Sequence, residues 1–426
     1  MSREQRVDDN WSLLYAIESA SSYSVGLCVA FCLSPEYLGS TIRQYHFMVE
    51  GLKEVKARLD GLGIGFYLLE GYPEVEFPSF LSKVKAGLLI TDFDPLEINR
   101  RWKRRVAGEI DFAMHQVDAH NIVPCWKVAN RRIWTYDTFR KKIAPWLEEF
   151  LEEMPPARKM DKVWDLEEEE IDWSGALALC NIDRSVPLVT WIEPGESNAR
   201  RMLSDFCEHR LFTYAARSMD PVVSGQSELS AHLHFGQLSA QRVALEVKKV
   251  DADEGEKSRY LDQLIVKREL ADNFCLHSQE YDTTGAFPIW ARRSLDEHRS
   301  DPRDHIYTVQ ELEGAGTHDP LWNAAQTELL KIGKIHGSLR GYWAEKILEW
   351  SRRPEDALAA ALYLNNKYSL DGNDPSGYTG ISMVVGGLYG KPWKPKEVVG
   401  KLKRHTYTQE RFSYDLQAYY DKVAKL

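Results

Sequence analysis

Three tryptophans and three polar side chains lie close together in the sequence between residues 317 and 378. They are Trp322, Trp343 and Trp350, with Arg340, Asn365 and Asp371. Trp343 and Trp350 are seven residues apart, so on one helix they share a face. Most tryptophans only fill a core, and for each of these three taken alone that is the default interpretation. The polar set offers a cation, a carboxylate and an amide that can both donate and accept.

The elements that position these residues change in character along the chain. Strand patterns cover residues 22–31, 64–69, 86–91 and 111–117, with helical patterns at 41–63 and 95–109. Strands that alternate with helices of this length predict a parallel α/β sheet. From residue 195 onward long helical patterns dominate, as at 258–277. We therefore expect an α/β domain at 1–150, a linker with an acidic run at 151–194 and an all-helical domain at 195–426.

The composition is typical of a globular protein. Of its 426 residues 43% are hydrophobic and 28% are charged, no apolar run reaches membrane-spanning length, and the start resembles no signal sequence. The six cysteines, at positions 28, 32, 125, 180, 207 and 275, form no CxxC pair, which argues against structural zinc and a disulfide framework. A net charge of −10 weakens the case for nucleic-acid binding but allows a local basic groove. We expect a cytoplasmic monomer that binds no metal and no membrane.

Long segments of the chain resemble one enzyme family, in order and over nearly the whole length. They are MSREQRVDDNWSLLYA at the start, SELSAHLHFGQLSAQRVALEV at 227–247, LIVKRELADNFC at 264–275, DHIYTVQELEGAGTHDPLWNA at 304–324 and the tryptophan-rich stretch above. The chain resembles the class II cyclobutane pyrimidine dimer photolyases of the photolyase/cryptochrome family. This resemblance implies a Rossmann-like α/β antenna-type domain followed by an all-helical domain that clasps a U-shaped FAD. It also implies a strand just before Met1, so that binding of an antenna chromophore is left open.

The resemblance carries a set of FAD contacts onto this chain. The implied cofactor-binding residues are Tyr214, Ser227, Leu229, Ser230, Arg268, Arg340, Asn365 and Asp371. Hydroxyls and backbone amides of the SELS segment would hold the diphosphate, because oriented N–H groups bind anions, and Arg268 would assist on the phosphate side. Arg340 and Asp371 would form an ion pair over the isoalloxazine. Asn365 would face flavin N5, where its amide could favour the reduced forms of the flavin.

The resemblance also gives the aromatic residues a role in electron transfer. Trp322, Trp343 and Trp350 match the family's electron-relay tryptophans, with Tyr307 as an accessory. Such a relay would carry electrons from the surface to the photoexcited flavin and regenerate its reduced form. The sequence alone does not give the order of transfer.

The substrate side departs from the family pattern at six places. Ser218 and Met219 replace an Arg–Asn pair, Gln263 a glutamate, Lys267 a Trp or Arg, Gly341 a methionine, Asn373 an arginine and Met383 a stacking tryptophan. A glutamate could hydrogen-bond the dimer and shuttle a proton. Each lost stacking contact would cost about 1–3 kcal/mol, and lost arginines weaken phosphate binding. These changes predict poor repair of a dimer flipped out of DNA.

Three functional hypotheses follow from this pattern. The leading one is a flavoprotein that uses light-driven electron transfer from reduced FAD on a small-molecule or nucleobase-like substrate, because Gly341 and Met383 replace bulkier groups. The alternative is a working class II DNA photolyase that repairs damaged DNA. The third is a cryptochrome-like blue-light receptor, ranked last because such receptors commonly carry a signalling extension and this chain stops soon after its last helix.

Overall fold

The computed structural model describes the backbone of residues 1–426 and every side chain except those of Arg411 and Phe412. The strands are β1 Cys28–Leu33, β2 Gly65–Glu70, β3 Leu88–Asp92 and β4 Ala113–Val117. The first α-helices are α1 Trp11–Ser22, α2 Ile42–Leu62, α3 Pro73–Lys83, α4 Glu97–Glu109, α5 Cys125–Val128, α6 Tyr136–Phe150 and α7 Trp173–Leu179. The predicted strands are confirmed, but β1 begins at Cys28 because α1 extends to Ser22.

The remaining helices make up most of the second half of the chain. They are α8 Glu196–Asp205, α9 Tyr214–Arg217, α10 Ser230–His234, α11 Ala240–Lys249, α12 Glu254–Leu261, α13 Arg268–His277, α14 Ile289–Glu297, α15 Val309–Glu313, α16 Pro320–Ile332, α17 Arg340–Glu349, α18 Pro354–Tyr368, α19 Pro375–Gly386, α20 Tyr407–Ser413 and α21 Leu416–Ala424. A π-helical turn at Phe206–Arg210 continues α8, and a second one at Asp262–Lys267 leads into α13. The prediction of an α/β part followed by a helical part is confirmed. Among the described residues, no helix is both long and apolar enough to cross a membrane.

The strands form two parallel ribbons instead of the single predicted sheet. β1 pairs with β2 from Cys28↔Gly65 onward, and β3 pairs with β4 from Leu88↔Ala113 onward. In the part of the chain that the structure describes, β1 and β3 do not pair, and residues of both strands line a cavity of about 1500 Å³. The amino group of Met1 lies beside this cavity and donates to the carbonyl of β1 Ala30 at 3.1 Å.

Buried charges in the first ten residues join the two parts of the molecule. Arg3 donates to both carboxylate oxygens of Asp272 on α13, at 2.8 and 3.0 Å. Glu4 lies 2.6 Å from His120 Nδ1 and also pairs with Arg6. Burial opposes the ionisation of Glu4, but the charges of Arg6 and His120 outweigh it and hold the pKa of Glu4 well below its usual range. The N-terminal segment is thus fixed against the helical part by groups that are costly to leave unpaired.

Core packing divides the chain differently from the predicted boundaries. The apolar face of α6, with Phe139 and Ile143, packs among α8, α11 and α13 residues of the helical part. Conversely, Met160 and Cys180 from the expected linker pack on the β1–β2 ribbon. The acidic run within 165–170 is largely exposed, as predicted for a solvated face. Helix α6, which lies before residue 150, therefore packs in the core of the helical part, whereas segments after residue 150 pack in the core of the α/β part.

Helix α16 shows how local sequence places a key side chain. Asp319 caps the helix by accepting from the backbone N–H of Trp322 at 3.0 Å, and Pro320 occupies the first turn, where its missing N–H costs nothing. Gly333 ends the helix with φ of 73°, a left-handed conformation that favours glycine. Trp322 is fully buried between these signals. Helices α13, α17 and α18 all pack against α19, which makes α19 the centre of this bundle.

Candidate functional site

The three predicted relay tryptophans form one continuous aromatic chain. The ring of Trp322 stacks on that of Trp343 with a centroid distance of 6.4 Å and an interplanar angle of 2°. Its other side meets Trp350 edge-on at 5.5 Å. Trp322 donates from Nε1 to the carbonyl of Trp343 at 3.0 Å, and all three rings are buried. Trp322 is therefore the middle member, an order that the sequence could not give.

The chain of rings continues to the surface beyond Trp350. Tyr307 lies 5.3 Å from Trp350 and His318 lies 5.4 Å from it, both edge-on. The Tyr307 hydroxyl is 2.7 Å from His318 Nδ1, and His305 stacks on His318 at 3.7 Å. Both histidines are exposed. The structure thus brings Tyr307 into the predicted relay and adds two histidines that sequence reasoning missed, although His318 lies within the matched THDPLW motif.

Arg340 and Asp371 lie near each other at the opposite, inner end. Their charged groups are 3.8 Å apart, and Arg340 Nε donates to the carbonyl of Ile335 at 3.2 Å. The Arg340 side chain keeps 42% of its surface exposed, so most of its donors stay available. Arg340 is three residues before Trp343 on α17. The predicted ion pair is therefore next to the inner tryptophan.

Asn365 lies near the C-terminal end of α18, where that helix approaches α19. Its Nδ2 donates to Asn366 Oδ1 at 3.1 Å, and its Oδ1 accepts from Ser369 at 3.3 Å. A Cβ at Gly377 would lie 2.8 Å from Asn365 Nδ2, so a larger residue there would displace the amide from its present position. The half-buried amide retains a second N–H and a second lone pair for another partner.

Two of the residues predicted to bind FAD meet through a further tyrosine. Tyr260 contacts the ring of Tyr214 edge-on at 5.2 Å, and its hydroxyl lies near the side chain of Ser227. Leu229 is fully buried, whereas Ser230, the first residue of α10, is exposed. The same loop lies against the segment before α17, since Glu228 pairs with Lys334 and a Cβ at Gly337 would be 3.2 Å from Gln226. The SELS loop and Arg340 therefore border a common region.

Arg268 is placed differently from the other predicted cofactor contacts. Its guanidinium donates to the carbonyl of His120 and to Asn121 Oδ1, the latter at 3.4 Å. Among the described side chains its buried Nε has no hydrogen-bond partner. The predicted phosphate-side arginine is thus held against the buried loop that also contacts Glu4.

Two of the altered substrate-side residues lie beside Tyr136, and a third is one turn away along the chain from one of them. The Tyr136 hydroxyl donates to Met383 Sδ at 3.0 Å, and Lys267 Nζ lies 5.9 Å from the Tyr136 ring centroid. Burial lowers the pKa of Lys267. Gln263 lies one turn before Lys267 on the π-helical turn, a geometry that is frequent at functional sites. Tyr136 is a further candidate residue that the sequence did not single out.

Gly341 is covered by a histidine from a distant part of the chain. A Cβ at Gly341 would lie 2.7 Å from Cε1 and 2.8 Å from Nδ1 of His405, so the imidazole occupies the space that a larger side chain would need. Burial lowers the pKa of His405 to about 4. The His405 backbone N–H donates to Glu345, and burial raises the pKa of that carboxyl to about 7, with Glu349 adding to the effect.

The remaining altered positions are Asn373, Ser218 and Met219, and the first two are buried. Asn373 is 1% exposed, and its Nδ2 donates to Ser40 of the α/β part at 3.0 Å. Its φ of 67° further restricts the residue that can stand there. In this chain the position where the family pattern has an arginine is therefore buried and joined to the α/β part. Ser218 is also buried, while its neighbour Met219 is half exposed.

Comparisons with known proteins agree with this architecture. The DNA photolyase family profile matches residues 1–159. A protein called deoxyribodipyrimidine photo-lyase from Potorous tridactylus is 41% identical over all of this chain and 80% of its own length. One of the same name from Oryza sativa subsp. japonica is 40% identical over all of this chain and 87% of its own length. The crystal structure of an archaeal photolyase from Sulfolobus tokodaii with two FAD molecules superposes with a TM-score of 0.71 at 14% identity, over 99% of this chain and 89% of that one.

Proposed function

The chain belongs to the photolyase and cryptochrome family, and from that premise we propose that it is a light-dependent, FAD-containing DNA photolyase that splits pyrimidine dimers. The observation that carries the proposal is the unbroken row of aromatic rings from half-buried Tyr307 to buried Trp343, beside Arg340 and Asp371. The relatives named above, which match this chain along its full length, favour DNA repair over the small-molecule hypothesis. We further propose that the chain is of class II.

The residues present fit a flavin dinucleotide. Arg340 has free donors beside the carboxylate of Asp371, and Asn365 has a free donor and a free acceptor where Gly377 lets two helices approach closely. Ser227 lies on the loop next to the segment before Arg340. These residues would hold FAD, while Arg268, whose guanidinium is engaged by His120 and Asn121, would contribute through its one unpaired buried donor, Nε, on the evidence of the described side chains.

FAD would supply a light-absorbing group that donates or accepts single electrons. Residues of this chain would set the local charge and the hydrogen bonds around that group. Arg340 and Asp371 place opposite charges next to each other, which fixes the local field without adding net charge. Asn365 can either donate or accept a hydrogen bond, so it can adapt to a partner whose protonation changes.

The aromatic row provides a path for electrons from solvent to the interior. Neighbouring ring centroids are 5.3 to 6.4 Å apart from Tyr307 through Trp350 and Trp322 to Trp343. Trp343 Nε1 donates to Gln326 at 2.9 Å, and Trp322 Nε1 is also hydrogen-bonded, so both rings are held in fixed orientations. The order we propose is therefore Tyr307, Trp350, Trp322 and then Trp343.

The region around Tyr136 would receive the flipped dimer. Two residues before Tyr136, the ring of Trp134 is 50% exposed and stacks with the guanidinium of Arg132 at 3.7 Å. An exposed aromatic ring of this kind can stack on a nucleobase, while Arg132 itself is half-buried and donates to the carbonyl of Ala286 at 2.7 Å. Lys267 adds an amino group 5.9 Å from the centre of the Tyr136 ring. A local basic and aromatic surface of this type would bind DNA despite the net charge of −10.

A second candidate substrate is a nucleobase dimer outside duplex DNA. The observation that favours it is His405, which fills the space over Gly341 and gives this part of the pocket an imidazole. A neutral imidazole can hydrogen-bond a base edge, whereas the family pattern has an apolar methionine at Gly341. The comparisons lend this candidate no support, and we rank it second.

The deciding experiment is light-dependent repair by the purified, photoreduced protein. The substrates are oligothymidylate that contains cyclobutane dimers and, in parallel, the isolated dinucleotide dimer, each followed by recovery of thymine absorbance. Faster repair of the oligonucleotide than of the dinucleotide supports DNA repair. Repair of the dinucleotide alone favours the second candidate, and repair of neither, with FAD bound and reducible, contradicts both.

A further inference from the structure

The Tyr307 hydroxyl is bonded to two groups of His318. The backbone N–H of His318 donates to the Tyr307 oxygen at 3.0 Å, so this oxygen is an acceptor in that bond. The same oxygen lies 2.7 Å from His318 Nδ1. When the neutral imidazole carries its proton on Nε2, Nδ1 is the acceptor of this second bond and Tyr307 donates its hydroxyl proton to it.

The surroundings of His318 keep its ring ready to accept a proton. Partial burial lowers the pKa of His318, and the neighbouring His305 lowers it further, as does Lys346; Asp319 acts in the opposite direction. The Asp319 carboxylate is itself occupied by the N-terminus of α16 and by the Tyr342 hydroxyl. At neutral pH the imidazole is therefore mostly uncharged, with Nδ1 free to take the tyrosine proton.

Tyr307 is also in position to give up an electron. Its ring meets Trp350 edge-on at 5.3 Å, and its backbone N–H donates to the Trp350 carbonyl at 3.3 Å. An oxidised tryptophan in the row would thus have a phenol as its next neighbour toward solvent. A phenol is a poor electron donor while it keeps its proton, because the phenol radical cation is a very strong acid.

We propose that His318 is the proton acceptor that makes Tyr307 the terminal electron donor of the aromatic row. One electron passes from the Tyr307 phenol to the Trp350 indole radical cation, and the phenolic O–H proton moves to His318 Nδ1. The products are neutral Trp350, a neutral Tyr307 phenoxyl radical and the His318 imidazolium. This inference rests on the proposed function, which supplies the oxidised tryptophan.

The stacked pair of histidines gives the proton a way out. His305 lies face to face with His318 at 3.7 Å, and both rings are exposed, so imidazolium at His318 is destabilised by any charge on His305 and can release its Nε2 proton to water. Loss of that proton would prevent its return to Tyr307. The pair therefore prolongs the separation of charge after light absorption.

The test is flash photolysis of the FAD-containing protein in H₂O and D₂O, with two variants of His318. His318→Asn can keep an oxygen acceptor near the Nδ1 position but is not a base, and His318→Phe keeps the stack on His305 but removes the acceptor. The expected wild-type result is a neutral tyrosyl signal that grows as the tryptophan radical decays, more slowly in D₂O. In both variants the tryptophan radical should form normally, while tyrosyl formation slows by about a hundredfold, the scale of a lost general base.

Further outcomes separate this inference from the proposed function. Lowering the pH through the reduced pKa of His318 should diminish the tyrosyl signal in wild type and leave His318→Asn unaffected. Equal tyrosyl formation in wild type and His318→Asn would overturn the inference and leave the photolyase proposal intact. If a flash oxidises no tryptophan, the proposed relay fails, and pulse radiolysis with azide radicals then oxidises the row without flavin and tests the Tyr307–His318 step by itself. Thermal unfolding midpoints confirm that both variants are folded.

Discussion

The relay end and the substrate end of the helical part differ in how their predicted residues are arranged. Trp322, Trp343 and Trp350 are buried and touch one another. On the substrate side, Met383 and Lys267 meet only through Tyr136, which the sequence had not singled out. Buried aromatic rings are fixed by the core around them, whereas pocket residues depend on neighbours from distant parts of the chain.

The difference bears on how a departure from a family pattern should be interpreted. Asn373 was counted as a lost phosphate anchor, yet it is buried and bonded to Ser40. Gly341 was counted as a lost side chain, yet His405 occupies the space above it. A substitution at the substrate end therefore has meaning only together with its spatial neighbour, while the relay end can be interpreted residue by residue.

Breaking the relay in the middle should have the largest effect. Among the described residues, Trp322 is the only aromatic residue whose ring contacts those of both Trp343 and Trp350, and Trp322→Phe replaces it by a smaller ring. We expect the rate of flavin photoreduction to fall about a hundredfold, equal to about 2.7 kcal/mol in activation free energy. Transient absorption measures that rate. Trp393→Phe, at a half-exposed ring, is the control and should leave it unchanged.

Restoration of two family residues on the substrate side should have the second largest effect. Gln263→Glu combined with Met383→Trp restores a carboxylate and a stacking ring beside Tyr136. A gain of about 1–3 kcal/mol from stacking would tighten binding of dimer-containing DNA by about 5- to 150-fold. Equilibrium binding at fixed salt measures the change, and Leu179→Trp, at a strongly exposed position, controls for a non-specific aromatic. No gain would show that these two positions do not limit substrate binding.

A larger side chain at position 341 tests whether His405 occupies the space above Gly341. Gly341→Met should lower the free energy of unfolding by about 1–3 kcal/mol through overpacking, because its Cβ would overlap the imidazole. Combined with His405→Ala, the loss should shrink, which denaturant unfolding would reveal as coupling between the two sites. Gly380→Met, at a helical glycine with open space around it, is the matched control and should not destabilise. Additive effects would contradict the pairing.

The smallest expected effect is a pH dependence at Glu345. Its pKa is raised to about 7, mainly by burial, whereas an unfolded glutamate titrates near 4.3. Between these values the unfolded chain binds fewer protons than the folded one, so stability falls as pH rises from about 5 to 7. After allowance for relaxation around the buried group, we expect a loss of about 1–2 kcal/mol. Denaturant unfolding at several pH values should find this slope flattened in Glu345→Gln but kept in Glu254→Gln, which alters an exposed carboxylate.

Much of the architecture could be predicted from local sequence. The four strands and the helix signals around Trp322 are encoded by apolar patterns, a cap and a terminal glycine. The split into two ribbons could not be foreseen, because pairing between strands depends on long-range contacts. The Arg3–Asp272 pair and the Tyr307–His318 bond were missed for the same reason, since each joins residues that only folding brings together.

The π-helical turn at Asp262–Lys267 accommodates an extra residue in the helix that it interrupts. Because one residue advances an α-helix by about 100°, a regular helix with the same number of residues would turn the segment before Gln263 by about that angle relative to Arg268. The wide turn absorbs this rotation. Deletion of one residue, such as Ile265, would therefore restore regular winding and leave the segments on both sides in place, so the turn keeps the direction of the substrate-side face independent of one residue of chain length.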